Sequence, residues 1–331
     1  MTVRKAAAWA LVAVALLAGA ACQRRAGGDA SGGGVLRVAS QRGSTRAIME
    51  ASGALRGAPY RVEWSEFAAA SPLLEALGAG AVDVGGVGDA PFVFAYSAGA
   101  PIKAVLAYDT GARGSSTAVV VPATSPIRGV ADLTGRKVAT VKGSIGHFLL
   151  LRLLERAHVA PSEVQMVYLD PGSARGALTS GSVDAWATWS PYIGLATLDD
   201  HGRILADGRG VLDGVGFFAA SDKAIAGKSK ILADFLARLA RAQAWGKLHP
   251  AEYGAALAKD TGLPLEVATD SARRLAGHVQ PLDPALTRKE YATLDTYRRA
   301  GLIEATPDID HAFAPQFSAG ALAAQAGAAT P

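Results

Sequence analysis

A single cysteine, Cys22, stands in a chain of 331 residues, so no disulfide can form within it. The 6 histidines are scattered. No set of His, Asp or Glu at metal-ligand spacing joins them, which argues against a chelating site; neither metal nor cofactor is expected. No Ser/His/Asp trio and no paired acids fall in the motif regions, so an enzyme is not expected. Charged residues are only 19% and the formal charge is +4. Removing Arg4 and Lys5 with the N-terminal segment leaves +2. No dense Lys/Arg stripe with interleaved aromatics occurs, which excludes a nucleic-acid footprint. Long apolar runs are scarce too. The one present, Ala6–Ala21, follows Arg4 and Lys5 and falls short of the ~20 residues a membrane helix needs. It reads as an export signal over 1–21, with small residues Gly19, Ala20 and Ala21 before the cleavage point.

What the chain has in quantity is apolar and small. Half the residues are hydrophobic and 38 are glycine, as close-packed helix-on-sheet folds allow. A Gly/Ala/Ser/Arg segment over 22–34 reads as a flexible tether. From Val35 strand and helix patterns alternate: Leu36–Ala39, then Ser44–Leu55, then Tyr60–Trp64. A helix opens at Ser71-Pro72, with a strand at Val82–Gly85 and another helix from Asp89-Ala90-Pro91. After Gly214–Ala219 helices dominate, over 228–248, 251–261, 265–275 and 287–300. Such alternation predicts parallel α/β sheets in two lobes. An internal echo supports two similar lobes: Leu74–Leu77 with Gly80–Val84, and Gly176–Leu178 with Gly181–Ala185. In each a helix ends at Gly and Val-Asp opens a strand. Residues 318–331 read as a disordered tail.

The organising stretch is Arg136–Leu151. Val138, Ala139 and Val141 form a buried strand, Gly143 and Gly146 permit a tight turn, and a helix follows with Leu150, Leu153, Leu154 and Ala157 at helical spacing. A turn into a helix N-terminus presents free N–H groups where the macrodipole favours negative charge. Ser144 adds a hydroxyl and His147 a ring. Together these make a place for a small oxyanion, the plainer alternative being an ordinary strand-to-helix connection.

Several blocks lie in order between Leu36 and a helix ending near Gly301: Ala39–Gly43, Glu66-Phe67, Leu74–Leu77, Gly88–Pro91, Ser125–Ile127 with Asp132–Ala139, Lys142–Ser144, and Asp184–Tyr192. Together they resemble the solute-binding proteins of ABC importers for aliphatic sulfonates, within the wider sulfonate/nitrate/taurine group. The resemblance implies a type II periplasmic-binding-protein fold, two α/β lobes joined by two crossover strands with the ligand between them. It puts 35–123 and 221–317 in lobe 1 and 124–220 in lobe 2. It also makes Cys22 the lipidated residue of a lipobox, although Gly19 stands where Leu, Val or Ile is usual; simple signal-peptide cleavage is the alternative. The implied partners are a small organic oxyanion and an inner-membrane ABC permease, for a periplasmic, lipid-anchored monomer. Nitrate, bicarbonate or a pyrimidine precursor is the rival cargo, and an enzyme or sensor on the same fold the rival class.

Ligands in such folds meet the C-terminal ends of strands, where helix N-termini point inward. Three segments qualify: Gln41-Arg42-Gly43-Ser44, Val87-Gly88-Asp89, and Lys142-Gly143-Ser144-Ile145-Gly146-His147. Gln41 could donate its amide and Arg42 could supply charge. Ser44 and Ser144 could serve as N-caps, as ligand donors, or as both. Asp89 is expected to cap its own helix, leaving N–H groups to the anion. His147 is expected to be a neutral ligand contact. Trp186, Trp189 and Tyr192 could wall the organic end or simply be core, and Arg175 is a further candidate charge partner. Phe217 is expected to pack rather than gate. Four departures from the family pattern fall near the cleft: Phe92 for a second Pro, Ala70 in a turn that usually bears Pro or Gly, Ser190 for Asp, and Phe148 for a polar residue. They point to a bulkier or more apolar cargo.

Overall fold

Pairing between strands, more than their order along the chain, divides the fold. In the computed structural model, residues 34–328 are described. The expected export signal, Cys22 and nearly all of the expected tether lie outside them. The chain opens with β1 (Val35–Gln41), α1 (Ser44–Ala51), β2 (Arg61–Phe67), α2 (Ala70–Gly78), β3 (Val84–Gly88), α3 (Asp89–Ser97) and β4 (Ile102–Asp109). After a crossover come β5 (Thr117–Val121), β6 (Lys137–Thr140), α4 (Ile145–Arg156), β7 (Gln165–Tyr168), α5 (Pro171–Thr179), β8 (Ala185–Trp189) and β9 (Arg203–Asp207). A second crossover leads back to β10 (Val215–Ser221), α6 (Asp222–Gly227), α7 (Ser229–Leu248), α8 (Pro250–Thr261), α9 (Leu265–Leu275), β11 (His278–Gln280), α10 (Pro284–Arg299) and α11 (Ser318–Ala328). One sheet has the order β11-β4-β10-β3-β1-β2 and the other β7-β6-β8-β5-β9. This is the expected two-lobed α/β architecture.

Three expectations need correction. The sheets are mixed rather than parallel: β10 runs antiparallel to β3 and β4, and β5 antiparallel to β8 and β9, because each of these strands enters its sheet from a crossover. The lobe limits expected at 123/124 and 220/221 move to the segments 110–116 and 208–214, because β5 pairs with β8 and β9 while β10 pairs with β3 and β4. Both strands are short apolar runs. Such a run declares that it is buried but not which sheet it joins. The expected disordered tail is helix α11 from Ser318 to Ala328: Ser318 and Ala321 are buried, and the Gln325 carboxamide oxygen accepts the Val279 N–H at 2.6 Å. Its run of small residues hid a packed helix, since alanine lets α11 lie close against its neighbours.

The internal echo has a structural basis. Asp83 accepts the backbone N–H of Arg37, at the start of β1, at 2.7 Å, and its own N–H donates to Arg37 O at 2.8 Å. Asp184 does the same to Lys137, at the start of β6, both at 2.8 Å. In each lobe a helix ends, a Val-Asp turn locks the first strand by its edge, and the next strand begins. Asp83 is 2% exposed and also binds Arg37 and Lys228; these cations hold its carboxyl below the usual range against the opposing effect of burial.

The crossovers touch at their glycines. Gly114 adopts φ +83°, and a Cβ there would stand 2.2 Å from Gly208 O. The Thr110 N–H donates to Gly214 O, and Gly208 N–H to Thr117 O. Glycine is what lets two chains pass this closely beneath the cleft.

Candidate functional site

A cavity of about 130 Å³ lies between the sheets, above the crossovers. The first lobe contributes Gln41 and Ser44 after β1, Gly88 and Asp89 after β3, and Tyr108 near the end of β4. The second contributes Ser144, Ile145, Trp189 and Ser190. Gln243, Tyr253 and Leu275 on α7, α8 and α9 complete the wall with Phe218 of β10. No Lys or Arg is among these wall residues.

The turn before α4 carries the strongest design. Ser144 is the N-cap; its hydroxyl accepts the His147 N–H at 3.1 Å. The amides of Ile145 and Gly146, at the first two helical positions, have no carbonyl to meet within the helix. Gly143, at φ +72°, donates its N–H to His147 Nδ1 at 3.1 Å. That bond puts the ring proton on Nε2. Burial, with the Lys142 charge adding to it, lowers the His147 pKa to about 4, so the ring is neutral. From α10 the buried Tyr297 hydroxyl reaches Gly143 O at 3.2 Å and Ser144 O at 3.4 Å. His147 is fully buried beneath the turn and outside the cavity wall; it shapes the turn from behind. Gly146 likewise faces β8, where a Cβ would stand 2.5 Å from Ala187 O.

On the first lobe, Arg42 (φ 51°) and Gly43 (φ 74°) make the turn into α1. The Gly43 N–H donates to Glu66 Oε2 at 2.8 Å, which gives Glu66 a structural role. The Ser44 hydroxyl donates to Gln41 O at 3.0 Å and is not a side-chain cap. The Arg42 guanidinium stands 5.6 Å from the Tyr192 ring centroid and its Nε has no partner among the described residues; it faces the Tyr192 ring and is not a wall residue. Asp89 Oδ1 accepts the N–H of Ala90 at 2.7 Å within the first turn of α3. Burial first, then the charge of Asp213, push the Asp89 pKa up to about 6. Glu290, 1% exposed, is raised well above its ordinary value by burial and by Asp89.

The aromatic candidates separate. Trp189 is in the cavity wall, and among the described residues neither its Nε1–H nor the hydroxyl of the adjacent Ser190 has a partner. Trp186 is 1% exposed, packed 5.9 Å from Tyr192, and belongs to the core. Tyr192 donates to Ala68 O at 2.7 Å, joining the lobes. Arg175 is held by Asp199 and Asp200 at 2.5 and 2.6 Å and is no wall residue. Phe217 and Phe92 pack edge to face 5.3 Å apart in the core, and Phe148 packs on Tyr297. Of the four departures, Ala70 and Ser190 line the cavity. Sequence reasoning did not find Tyr108, Gln243, Tyr253 or Leu275. Tyr108, at the C-terminal end of a strand, carried a usable signal; the others sit on helices that only folding brings to the cleft.

Buried donors without partners cost about 1–3 kcal/mol each, and such groups are rare in native proteins. Among the described residues, Trp189 Nε1 and Ser190 Oγ are two such groups, and both residues contribute to the cavity wall together with Ser144 and Ile145 at the start of α4.

The NMT1/THI5-like family profile matches residues 61–253. An aliphatic sulfonates-binding protein of Escherichia coli (strain K12) is 34% identical over 278 residues, covering 83% of this chain and 86% of its own. The alkanesulfonate-binding protein SsuA from Xanthomonas axonopodis pv. citri, solved bound to MOPS, superposes with a TM-score of 0.75 at 34% identity, over 83% of this chain and 95% of its own. The periplasmic aliphatic sulphonate binding protein SsuA from Escherichia coli gives a TM-score of 0.74 at 32% identity, over 85% and 92%.

Proposed function

The chain belongs to the NMT1/THI5-like family, alongside the aliphatic sulfonate-binding proteins, and from that premise we propose that it is an extracytoplasmic solute-binding protein that delivers an organic sulfonate to an ABC importer. The observation that carries the reading is the cavity wall to which Ser144 and Ile145 at the α4 N-terminus contribute with Trp189 and Ser190, with no Lys or Arg in it. A sulfonate has three acceptor oxygens sharing one negative charge. Hydrogen-bond donors and a helix terminus satisfy it without a buried counter-ion. A more highly charged anion would gain more from a cation, which this wall does not offer. The relatives' names point the same way, and MOPS is itself a sulfonate.

The protein works by lobe closure about the crossovers 110–116 and 208–214. Ligand stabilises the closed arrangement because only there do donors of one lobe and the wall of the other meet it together. The protein acts as a monomer, held at the membrane by a lipid on Cys22. No helix among the described residues is long and apolar enough to cross a membrane.

The test is a thermal-shift screen of the protein from Gln23 onward, at millimolar ligand. The panel holds short and aromatic sulfonates, taurine, sulfate, nitrate, bicarbonate and a pyrimidine precursor. Ligand at ~100 times its dissociation constant adds roughly 2.7 kcal/mol to stability. Sulfonates alone should shift the transition. A response to another compound with none to sulfonates discards the cargo, and turnover of any panel member discards the binding-protein class.

A further inference from the structure

The cavity wall carries a second pair of polar side chains, Gln243 and Tyr108. Gln243, on α7, is 7% exposed. Its carboxamide oxygen accepts the Gly277 N–H at 2.9 Å. That bond fixes which way the amide faces, because a backbone N–H can only meet the oxygen. Nε2 is thereby left as a donor without a partner among the described residues. Tyr108 on β4 lines the same cavity, and its hydroxyl has no partner among the described residues either. The phenol lies over Gly216: a Cβ there would stand 2.5 Å from its oxygen, so the glycine makes the room. Gly277 ties the two side chains together, since a Cβ on it would meet the Tyr108 ring at 3.1 Å. Burial, with Asp89 nearby, pushes the Tyr108 pKa up to about 12, so the phenol keeps its proton.

An unbranched alkyl end would leave both groups desolvated and unmatched, at a cost that a bound polar group removes. The two groups also discriminate among polar ends. Nε2 can only donate, and an ammonium has no acceptor to offer it, which works against the attraction of the Asp89 carboxylate in the same wall; a hydroxyl oxygen accepts from Nε2 and can donate its own proton to the Tyr108 oxygen. Building on the sulfonate reading above, we propose that the cargo is a hydroxyalkanesulfonate, with Tyr108 and Gln243 as the residues that select its hydroxyl.

Calorimetric titration of the protein from Gln23 onward with three matched ligands tests this: 3-hydroxypropane-1-sulfonate, butane-1-sulfonate, which puts CH₃ in place of OH, and 3-aminopropane-1-sulfonate. The hydroxyl compound should bind at least about tenfold more tightly than either of the others. Tyr108→Phe and Gln243→Met should each shrink the hydroxyl-to-methyl ratio, and the double variant should bring it near one. Equal or tighter binding of butane-1-sulfonate overturns the inference while keeping the sulfonate reading, as does tighter binding of the amine. A ratio that survives the double variant also overturns it. Binding of none of the three overturns the sulfonate reading and this inference with it. The wild-type ratio stands as a test even if a variant fails to fold.

Discussion

Tyr192 of the second lobe donates its hydroxyl hydrogen to the carbonyl of Ala68 in the first, at 2.7 Å, with the Arg42 guanidinium over its ring. This contact ties the two lobes together. Tyr192→Phe should remove one net hydrogen bond, about 1 kcal/mol, from the closed state only. Sulfonate affinity should fall roughly fivefold by calorimetry, with the melting temperature of the ligand-free protein nearly unchanged. A large loss of ligand-free stability with unaltered affinity would show that the bond holds the fold and not the closure.

Ser190 offers the opposite balance. The residue lines the cavity, and its hydroxyl is buried with no partner among the described residues. Ser190→Ala should leave stability within about 0.5 kcal/mol or raise it slightly, because an unsatisfied polar group disappears. Sulfonate affinity should drop by about tenfold, the weight of one hydrogen bond to a charged group. Denaturant titration and calorimetry on the same preparation check both halves.

The pKa of His147 is lowered to about 4 from 6.5 by burial. A depressed imidazole means that the folded state binds fewer protons than the unfolded one between these values. Its contribution is therefore intact above pH 6.5 and lost as pH falls toward 4, about 2 kcal/mol of it by pH 5. Asp89, raised to about 6, works in reverse, contributing below pH 3.8 and losing that contribution as pH rises through 6. The two effects are separated by comparing the wild type with His147→Gln. The stability difference between them should shift by about 2 kcal/mol against the wild type between pH 8 and pH 5; a constant difference would mean that the ring is not held neutral.

At the hinge, Gly114→Ala combines a positive φ with a Cβ 2.2 Å from Gly208 O. Gly210→Ala has a positive φ as well, but open space around it. The first should cost at least about 2 kcal/mol beyond the second, measured by urea unfolding. Equal costs would mean that the crossovers do not need their close approach.

The sequence was most readable where local chemistry is self-sufficient. Ser144 before an apolar helical period, Gly143 in the turn and the Val-Asp starts at Asp83 and Asp184 each act on neighbours along the chain or through a repeated pattern, and all took the structural roles their types suggest. His147 was legible as neutral but not as a residue behind the turn, because its position depends on how the Gly143 N–H meets its ring. Arg175 looked available as a counter-charge until Asp199 and Asp200 met it. Trp186 and Trp189 are three residues apart on one short stretch, yet one is core and one is cavity wall; which face of β8 is covered is settled by the neighbouring elements.

By itself, then, the amino-acid sequence determined the class of fold, the alternation of elements and the Gly/Ser turn into α4, since periodicity, glycine and capping act over a few residues. Only the tertiary structure decided that β5 belongs to the second sheet, that 318–328 is a packed helix, and that Tyr108 and Gln243 face one cavity with Ser144 and Ser190. These are partnerships between residues far apart in the chain. They are selected by the burial of whole faces at once, and no local pattern encodes them.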